Sequence, residues 1–305
     1  MHQLIDQAVA EVGTVLLGKE QQVRLAICCL IAGGHLLIED LPGMGKTTLS
    51  HALARVLGLD YKRVQFTSDL LPSDILGASI FDRQKNSFEF IAGPVFTQLL
   101  LADEINRATP KSQSALLEAM EEQQVSIDGQ TRPLPKPFFV IATQNPSGQA
   151  GTYPLPESQL DRFLMRISLG YPNREAERKL FLGVDSRKRL PQLQTRIDHT
   201  QLSAIQAAVE QVHCSDDLLD YLHRLVDYTR VGPQFAVGLS PRGALSLLRC
   251  AKAWALMAGR KHAVPEDIQR VLPAVAEHRL AGCTDHRSTP SLLTQSLLKD
   301  VAVIA

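Results

Sequence analysis

A short stretch from His35 to Ser50, HLLIEDLPGMGKTTLS, constrains the fold more than any other part of the sequence. It begins with an apolar run that is typical of a buried strand, and it continues through a Pro-Gly-Met-Gly turn that neither a helix nor a strand tolerates. Lys46-Thr47-Thr48 then begin a predicted helix. A strand, a glycine turn and a helix start are the layout of a phosphate-binding loop. The stretch therefore predicts an α/β domain with an anion site at one helix N-terminus.

The glycine turn has a distinct chemistry. A helix start carries partial positive charge, so the ammonium of Lys46 is unfavourable there unless an anion fills the space. The hydroxyl of Thr47 is an expected magnesium ligand. A glycine turn ahead of an ordinary helix is the alternative interpretation. The residues expected at the phosphates are Pro42, Gly43, Met44, Gly45, Lys46, Thr47 and Thr48.

One position departs from the general pattern G-x-x-x-x-G-K-[ST], because Asp40 stands where that pattern has its first glycine. Aspartate tolerates a left-handed backbone better than most residues do. We therefore expect the turn to survive the change.

Composition excludes several other classes of protein. The 305 residues are 45% hydrophobic, which is enough for one large domain and a smaller one. Lys plus Arg and Asp plus Glu number 32 each, a balance that argues against a strong nucleic-acid or acidic-membrane field. The five cysteines are scattered and never in C-x-x-C spacing, which indicates thiols of a reduced compartment. The sequence predicts neither a signal peptide nor a membrane span, and hence a soluble, cytoplasmic protein.

Polar side chains follow two further predicted strands. The apolar strand Gln98 to Glu104 ends in two acids, and a doubly wound sheet binds ligands at the carboxyl ends of its strands. We expect Asp103 to bind magnesium, directly or through water, and Glu104 to polarise an attacking water. Asn145 follows the strand Phe138 to Thr143, where an amide can hold a phosphate or that water. The alternatives are two exposed acids and a plain Asn-Pro turn.

Three other segments have weaker signals. The loop around Gly18 lies between two predicted helices, and it is either a plain connection or a segment close to the nucleotide base. Residues 78–91 and 124–134 are predicted hairpins, the second because of its Asp-Gly turn. We expect a nucleotide-binding domain over residues 1–184, a connector over 185–198 and a helical domain over 199–305, where strand signals vanish.

Two arginines are candidates for anion contacts. Arg162 follows Asp161, so a simple ion pair between the two is one interpretation. The other is an arginine that completes the site of a neighbouring subunit. Arg242 follows Ser240-Pro241 at a predicted helix start, where a cation again faces the positive helix end. We expect an anion near it.

Several segments together resemble the MoxR family of AAA+ ATPases, and the resemblance covers nearly the whole chain. They are IEDLPGMGKTTL, QFTSDLLPSDILG, GPVF, LLLADEINRATPKSQSALLEAMEEQQVSIDG, ATQNP, GTYPLPESQLDRF and GLSPRGALSLL. The block around Asp103 is the most specific of them, and Asp40 in the phosphate loop is usual in this family.

The resemblance implies a five-stranded parallel αβα P-loop core with a C-terminal helical lid, and ATP with Mg²⁺ as cofactors. It places Lys46 and Thr47 on Walker A, Asp103 and Glu104 on Walker B, and Asn145 on sensor 1. It also places Arg162 on the arginine finger and Arg242 on sensor 2, which acts on its own nucleotide or on a neighbour's. The two hairpins match inserts that face the pore or the substrate of a ring.

The resemblance also implies a chaperone-like ATP hydrolase that forms a homo-oligomer, usually a hexameric ring. Such machines remodel, assemble or activate a protein client, often with a partner that has a von Willebrand factor A-type domain. One alternative is a nucleotide-gated subunit of a metal-chelatase-like assembly. Another is a nucleic-acid motor, which the hairpins do not favour because neither carries a strongly basic or aromatic track.

Overall fold

The computed structural model describes residues 1–146, 151–182, 186–283 and 290–304. Within these ranges the helices are α1 (His2–Gly13), α2 (Glu20–Ile31), α3 (Lys46–Val56), α4 (Pro72–Leu76), α5 (Pro110–Glu122), α6 (Glu157–Leu160), α7 (Arg174–Phe181), α8 (His199–Glu210), α9 (Asp216–Val231), α10 (Pro241–Met257), α11 (Pro265–Ala276) and α12 (Pro290–Asp300). The strands are β1 (Leu36–Glu39), β2 (Tyr61–Gln65), β3 (Gly77–Asp82), β4 (Ser87–Ala92), β5 (Leu99–Asp103), β6 (Gln124–Ile127), β7 (Gln130–Pro133), β8 (Phe139–Gln144), β9 (Met165–Ile167), β10 (Phe235–Val237) and β11 (Ala281–Gly282).

Five strands form one parallel sheet in the order β2-β5-β8-β1-β9, which confirms the predicted core. The register pairs Gln65 with Asp103 and Glu39 with Gln144. The carboxyl ends of β2, β5, β8 and β1 therefore meet at one edge of the sheet, where ligands bind in such folds.

Alternate side chains of the central strands enter two separate hydrophobic clusters, as the twofold periodicity of a strand requires. Leu36, Ile38 and Leu101 pack with α1, α2, α3 and the C-terminal helices. Leu37 and Leu100 pack with α5 on the other face. The C-terminal helices thus share one apolar core with one face of the sheet.

The two predicted hairpins are present as β3–β4 and β6–β7. The second turns at Asp128 and Gly129, whose φ angles of 53° and 73° suit the Asp-Gly pair. On the first hairpin Phe81 pairs with Phe88 across the strands, and the two rings lie edge to face at 5.3 Å.

The C-terminal part is helical, with one addition that the sequence did not predict. Strand signals vanish from the sequence after residue 199, but β10 is present there and pairs with β11 in an antiparallel ladder. The predicted boundary at residues 184 and 185 lies outside the described residues. No helix in the described ranges is both long and apolar enough to cross a membrane.

Candidate functional site

The loop between β1 and α3 opens onto a cavity of about 480 Å³, which we call the phosphate-loop cavity. Gly43 and Gly45 have φ angles of 86° and 95°, a region that glycine adopts without strain. Gly45 caps α3 without a side-chain hydrogen bond, and a Cβ on either glycine would meet nothing within 4 Å. The N–H groups of the first turn of α3 lack intrahelical acceptors. These N–H groups are therefore expected to be available to a bound anion. The lining residues are Pro42, Gly43, Gly45, Lys46, Thr47, Thr48, His51, Arg63, Gln65, Asp103, Glu104, Asn145 and Leu190.

Lys46 lies in this cavity and is only 7% exposed. Its ammonium donates to the carbonyl of Asp40, to Asn145 Oδ1 at 3.0 Å and to the carbonyl of Gln144 at 3.4 Å. Burial lowers the pKa of Lys46, and nearby acids including Asp40 and Asp103 oppose that shift. The ammonium is thus held by oxygens at the point where a bound anion would meet it.

Asp40 keeps its place for a reason that the sequence analysis missed. The turn survives as expected, but not through a left-handed aspartate, because the backbone of Asp40 is not left-handed. Its carboxylate accepts hydrogen bonds from the Gly170 N–H at 2.6 Å, from Ser168 Oγ at 3.1 Å and from the Leu41 N–H at 2.9 Å. Asp40 therefore ties the phosphate loop to the chain that follows β9.

Asp103 and Thr47 form an oxygen-rich corner of the cavity. Thr47 Oγ1 lies 3.5 Å from Asp103 Oδ2, and Asp103 Oδ1 accepts from the hydroxyl of Thr143. Arg63 donates to the same Oδ2 through Nη2 at 2.7 Å and Nε at 3.0 Å. Hydroxyl and carboxylate oxygens are the ligands that Mg²⁺ prefers, so this donor set fits the expected metal. Arg63 supplies positive charge at the same position.

Glu104 has a strained backbone. Its φ and ψ are 57° and 48°, a left-handed conformation that is uncommon outside glycine and that clusters at functional sites. Its N–H donates to Thr143 Oγ1 at 2.9 Å. The carboxylate accepts from Gln65 Nε2 at 2.8 Å and from Asn145 Nδ2 at 3.3 Å, and Arg107 Nε lies 3.3 Å away. Two amides thus aim the carboxylate within the cavity.

Four residues that line this cavity were not identified from the sequence, namely His51, Leu190, Arg63 and Gln65. Of these, Arg63 and Gln65 contact the two acids, Asp103 and Glu104. They are alternate residues of β2, and Gln65 lies beside Asp103 in the sheet register. Arg63 Nη2 also donates to Gln65 Oε1 at 2.9 Å. The available signal was that β2 ends in polar side chains, as the strands before Asp103 and Asn145 do.

Two predicted contact residues do not line this cavity. Met44 is partly buried and packs against the hydrophobic core. Gly18 has a φ of 71° and lies beside Asn173, whose side-chain atoms would be 3.1 Å from a Cβ at Gly18. The neighbouring Lys19 donates to the carbonyl of Tyr171. Within the described residues, Gly18 therefore belongs to a contact between the α1–α2 loop and the start of α7.

Arg162 and Arg242 lie together, but in a different cavity of about 470 Å³, which we call the arginine cavity. Arg162 Nη1 donates to the carbonyl of Leu117 at 2.6 Å and lies 3.8 Å from Glu121 Oε2. Arg242 Nη2 donates to the other carboxylate oxygen of Glu121. The anion expected near Arg242 is therefore a side chain of α5. Other residues that line this cavity are His35, Gln123, Asp161, Arg249 and Arg279.

The ion pair between Asp161 and Arg162, the alternative interpretation, is absent from the described contacts. Asp161 instead pairs with Arg279, whose Nε donates to Oδ1 at 2.6 Å. Arg279 follows α11 and its side chain is only 3% exposed. This pair could not be predicted from the sequence, because Arg279 lies more than a hundred residues from its partner.

Comparisons with known proteins agree with this geometry. Residues 35–165 match the sequence model of the ATPase family associated with various cellular activities (AAA), and residues 227–298 match that of a AAA lid domain. The crystal structure of a candidate ATPase from Cytophaga hutchinsonii superposes with a TM-score of 0.90 at 37% identity. It covers 100% of this chain and 96% of the other.

Named relatives share most of their length with this chain. The chaperone MoxR1 of Mycobacterium tuberculosis is 39% identical over 98% of this chain and 82% of its own. The protein MoxR of Methylorubrum extorquens is 30% identical over 88% of this chain and 85% of its own. YeaC of Bacillus subtilis is 44% identical over 92% of this chain and 88% of its own.

Proposed function

Since the chain belongs to the MoxR family of AAA+ ATPases, we propose that it hydrolyses ATP to ADP and phosphate in the phosphate-loop cavity. One observation carries the proposal. The carboxylate of Glu104, on a strained left-handed residue, is held by the amides of Gln65 and Asn145 in the same cavity as Lys46 and Thr47. Strain of this kind persists where the surroundings enforce it for function.

Each group in the cavity has a role that its position supports. Lys46 and the N–H groups at the start of α3 bind the phosphates. Thr47 and Asp103 would hold Mg²⁺, which would neutralise phosphate charge. Glu104 accepts a proton from the attacking water, and Asn145 orients that water. Gln65 holds the Glu104 carboxylate in place.

The arginine cavity supplies the second half of the site. Arg162 and Arg242 do not line the phosphate-loop cavity of their own chain, and one carboxylate, Glu121, holds both guanidinium groups. We place them against the nucleotide of the adjacent subunit in a homo-oligomeric ring, with a hexamer as the expected form. There Arg162 stabilises charge that develops on the transferred phosphoryl group. We thus propose that Arg242 also acts in trans.

Turnover is proposed to remodel or activate a protein client. The β3–β4 hairpin presents exposed apolar side chains at its free end, with Phe88 75% exposed beside Phe81. Exposed apolar groups of this kind mark protein contact surfaces. The base of the hairpin is fixed, because Phe90 on the same face packs edge to face on Phe96 and under Arg132 of the second hairpin. The same proposal includes a partner protein with a von Willebrand factor A-type domain. It also includes a cytoplasmic location for this protein.

The test is ATP turnover per subunit over a wide range of protein concentrations, with the mass of the assembly measured at each dilution. A site shared between subunits predicts a specific activity that rises steeply with assembly and then levels. Full activity in a sample that is monomeric by mass would refute the shared site. Absence of turnover in assembled wild-type rings, with and without candidate clients, would refute the ATPase itself.

A further inference from the structure

One lid residue, Arg279, donates hydrogen bonds to the chain on both sides of Arg162. Its Nε donates to Asp161 Oδ1 at 2.6 Å, and its Nη2 donates to the carbonyls of Asp161 at 3.1 Å and Phe163 at 2.7 Å. Its Nη1 reaches the carbonyl of Leu164 at 3.3 Å. The residues immediately before and after Arg162 are therefore bonded to one guanidinium group.

The segment that Arg279 contacts has little regular structure of its own. Residues 161–164 form turns and bends between α6 and β9. Their N–H groups are satisfied, for example by a bond from Leu164 to the carbonyl of His35 at 2.8 Å. Buried carbonyl oxygens also need partners, and in this segment those of Asp161, Phe163 and Leu164 find one in Arg279. The Arg279 guanidinium thus supplies the donors that a neighbouring strand would supply to these carbonyls in a sheet.

The other end of this contact is anchored in the lid. Arg279 N–H donates to the carbonyl of Ala276 at 2.9 Å, and its guanidinium also donates to the carbonyl of Val275. Both acceptors lie in the last turn of α11, which packs extensively on α10. Arg242 is in the first turn of α10. The same pair of lid helices therefore carries Arg242 and supports the segment of Arg162.

We propose that Arg279 is the positioning residue for Arg162, so that the lid of one subunit sets how the arginine reaches the nucleotide of the next. The inference rests on the proposed function, in which Arg162 acts on a neighbouring site. Lysine cannot replace arginine here, because one ammonium cannot reproduce the planar fork that bonds a carboxylate and several carbonyls at once. The alternative is that Arg279 only fastens the lid to the sheet.

A mixing experiment separates these two roles. Lys46→Ala subunits lack nucleotide binding but offer Arg162, and Arg162→Ala subunits bind nucleotide but lack the arginine. Each is inactive alone, and mixed rings regain turnover at interfaces where one complements the other. Arg279→Lys is then added to one kind of subunit at a time.

The expected result is asymmetric. Arg279→Lys in the Lys46→Ala subunit, which donates Arg162, lowers the restored kcat by about tenfold to a hundredfold and leaves KM for ATP unchanged, because the arginine is misplaced. The same substitution in the Arg162→Ala subunit leaves the restored rate within about twofold, since that subunit contributes no arginine to the interface. Arg270→Lys, an exposed arginine on α11, is the matched control and changes neither arm.

Three results would overturn the inference. Equal losses in both arms would mean that Arg279 only fastens the lid, and no loss in either arm would mean that it does not position Arg162. Failure of the two parent variants to rescue each other would refute the shared site, and the inference with it. If mass measurement shows that Arg279→Lys subunits do not assemble, Asp161→Asn is tested in their place. It is expected to lower the restored kcat by a smaller factor, and only when it is in the subunit that donates Arg162.

Discussion

The phosphate-loop cavity and the arginine cavity are built in opposite ways. The first takes most of its side chains from β2, β5 and β8, from the loop after β1 and from the start of α3, and the sheet register fixes the strand residues relative to one another. The second takes its side chains from α5, from the turn at residues 161–164 and from the lid. Sheet register thus positions the first cavity, and contacts between separate helices and turns position the second.

This difference teaches where control of turnover can lie. Glu104 is held by Gln65 and Asn145 within its own chain. Arg162 and Arg242 share Glu121, so a change in the position of the lid changes both at once. Defects in the first cavity are therefore expected to stay with the mutated subunit. Defects in the second are expected to appear in its neighbour.

The largest effect is expected from Arg162→Ala. Loss of a trans-acting arginine lowers kcat by about 10³–10⁵-fold, because charge on the transferred phosphoryl group loses its partner. Nucleotide binding persists, since Arg162 does not line the phosphate-loop cavity. Single-turnover kinetics and binding of a fluorescent ATP analogue measure the two properties.

Arg270→Ala, on the exposed side of α11, is the control for this variant and keeps wild-type turnover. An Arg162→Ala ring with an unchanged rate would show that the arginine cavity is not part of the active site.

The next effect is expected from Glu104→Gln, which keeps the shape of the side chain but removes the base. Turnover falls by about 10²–10⁴-fold while ATP binding remains. In mixed rings this loss stays with the mutated subunit, unlike the loss from Arg162→Ala. Glu118→Gln, an exposed glutamate of α5, is the matched control. Wild-type turnover in Glu104→Gln would exclude Glu104 as the base.

A smaller effect is expected on the pH dependence of stability, and it arises from a histidine in the arginine cavity. Burial lowers the pKa of His35, in the arginine cavity, to about 4, although Met120 and Glu121 oppose the shift. The imidazole ring of His35 is neutral there, and its Nδ1 accepts a hydrogen bond from the Val140 N–H at 2.9 Å. Because the unfolded chain binds this proton near the ordinary pKa of about 6.5, stability is complete above that pH. It declines as the pH falls from about 6.5 towards 4, by at most about 3 kcal/mol.

Urea unfolding at a series of pH values measures this decline. His35→Gln reduces the slope between pH 6.5 and 4 without abolishing it, because burial also lowers the pKa of His278. An identical slope in the variant and the wild type would show that His35 is not kept neutral by the folded protein.

The same contrast explains what could be predicted from the sequence. The phosphate loop and the acids after β5 are continuous segments, and each contains its own signal of strand, turn and polar residue. Lys46, Thr47, Asp103, Glu104 and Asn145 were all placed in one cavity by that logic. Strand register then follows from the fold class, which is why the strand ends meet as expected.

The arginine cavity could not be predicted in this way. Its members come from distant segments, and no local pattern says which turn Arg279 will hold or which carboxylate Arg242 will meet. Arg162 and Arg242 were singled out in the sequence as candidate anion contacts and took their specific roles from the family resemblance, whereas Arg279 and Glu121 depend on how the lid packs. Asp40 is intermediate, because its position was noticed in the sequence but its hydrogen-bond partners after β9 were not.

Asp40 gives the smallest expected effect and the sharpest test of how the sheet holds the loop. Both oxygens of its carboxylate accept N–H groups, from Leu41 and from Gly170. In Asp40→Asn either orientation of the amide turns a donor towards one of these N–H groups, so one loses its acceptor. We expect about 1–3 kcal/mol of lost stability in urea unfolding, and weaker ATP binding from a looser loop. Asp60→Asn, an exposed aspartate before β2, is the control. Weaker ATP binding without any loss of stability would instead indicate that Asp40 contacts the nucleotide itself.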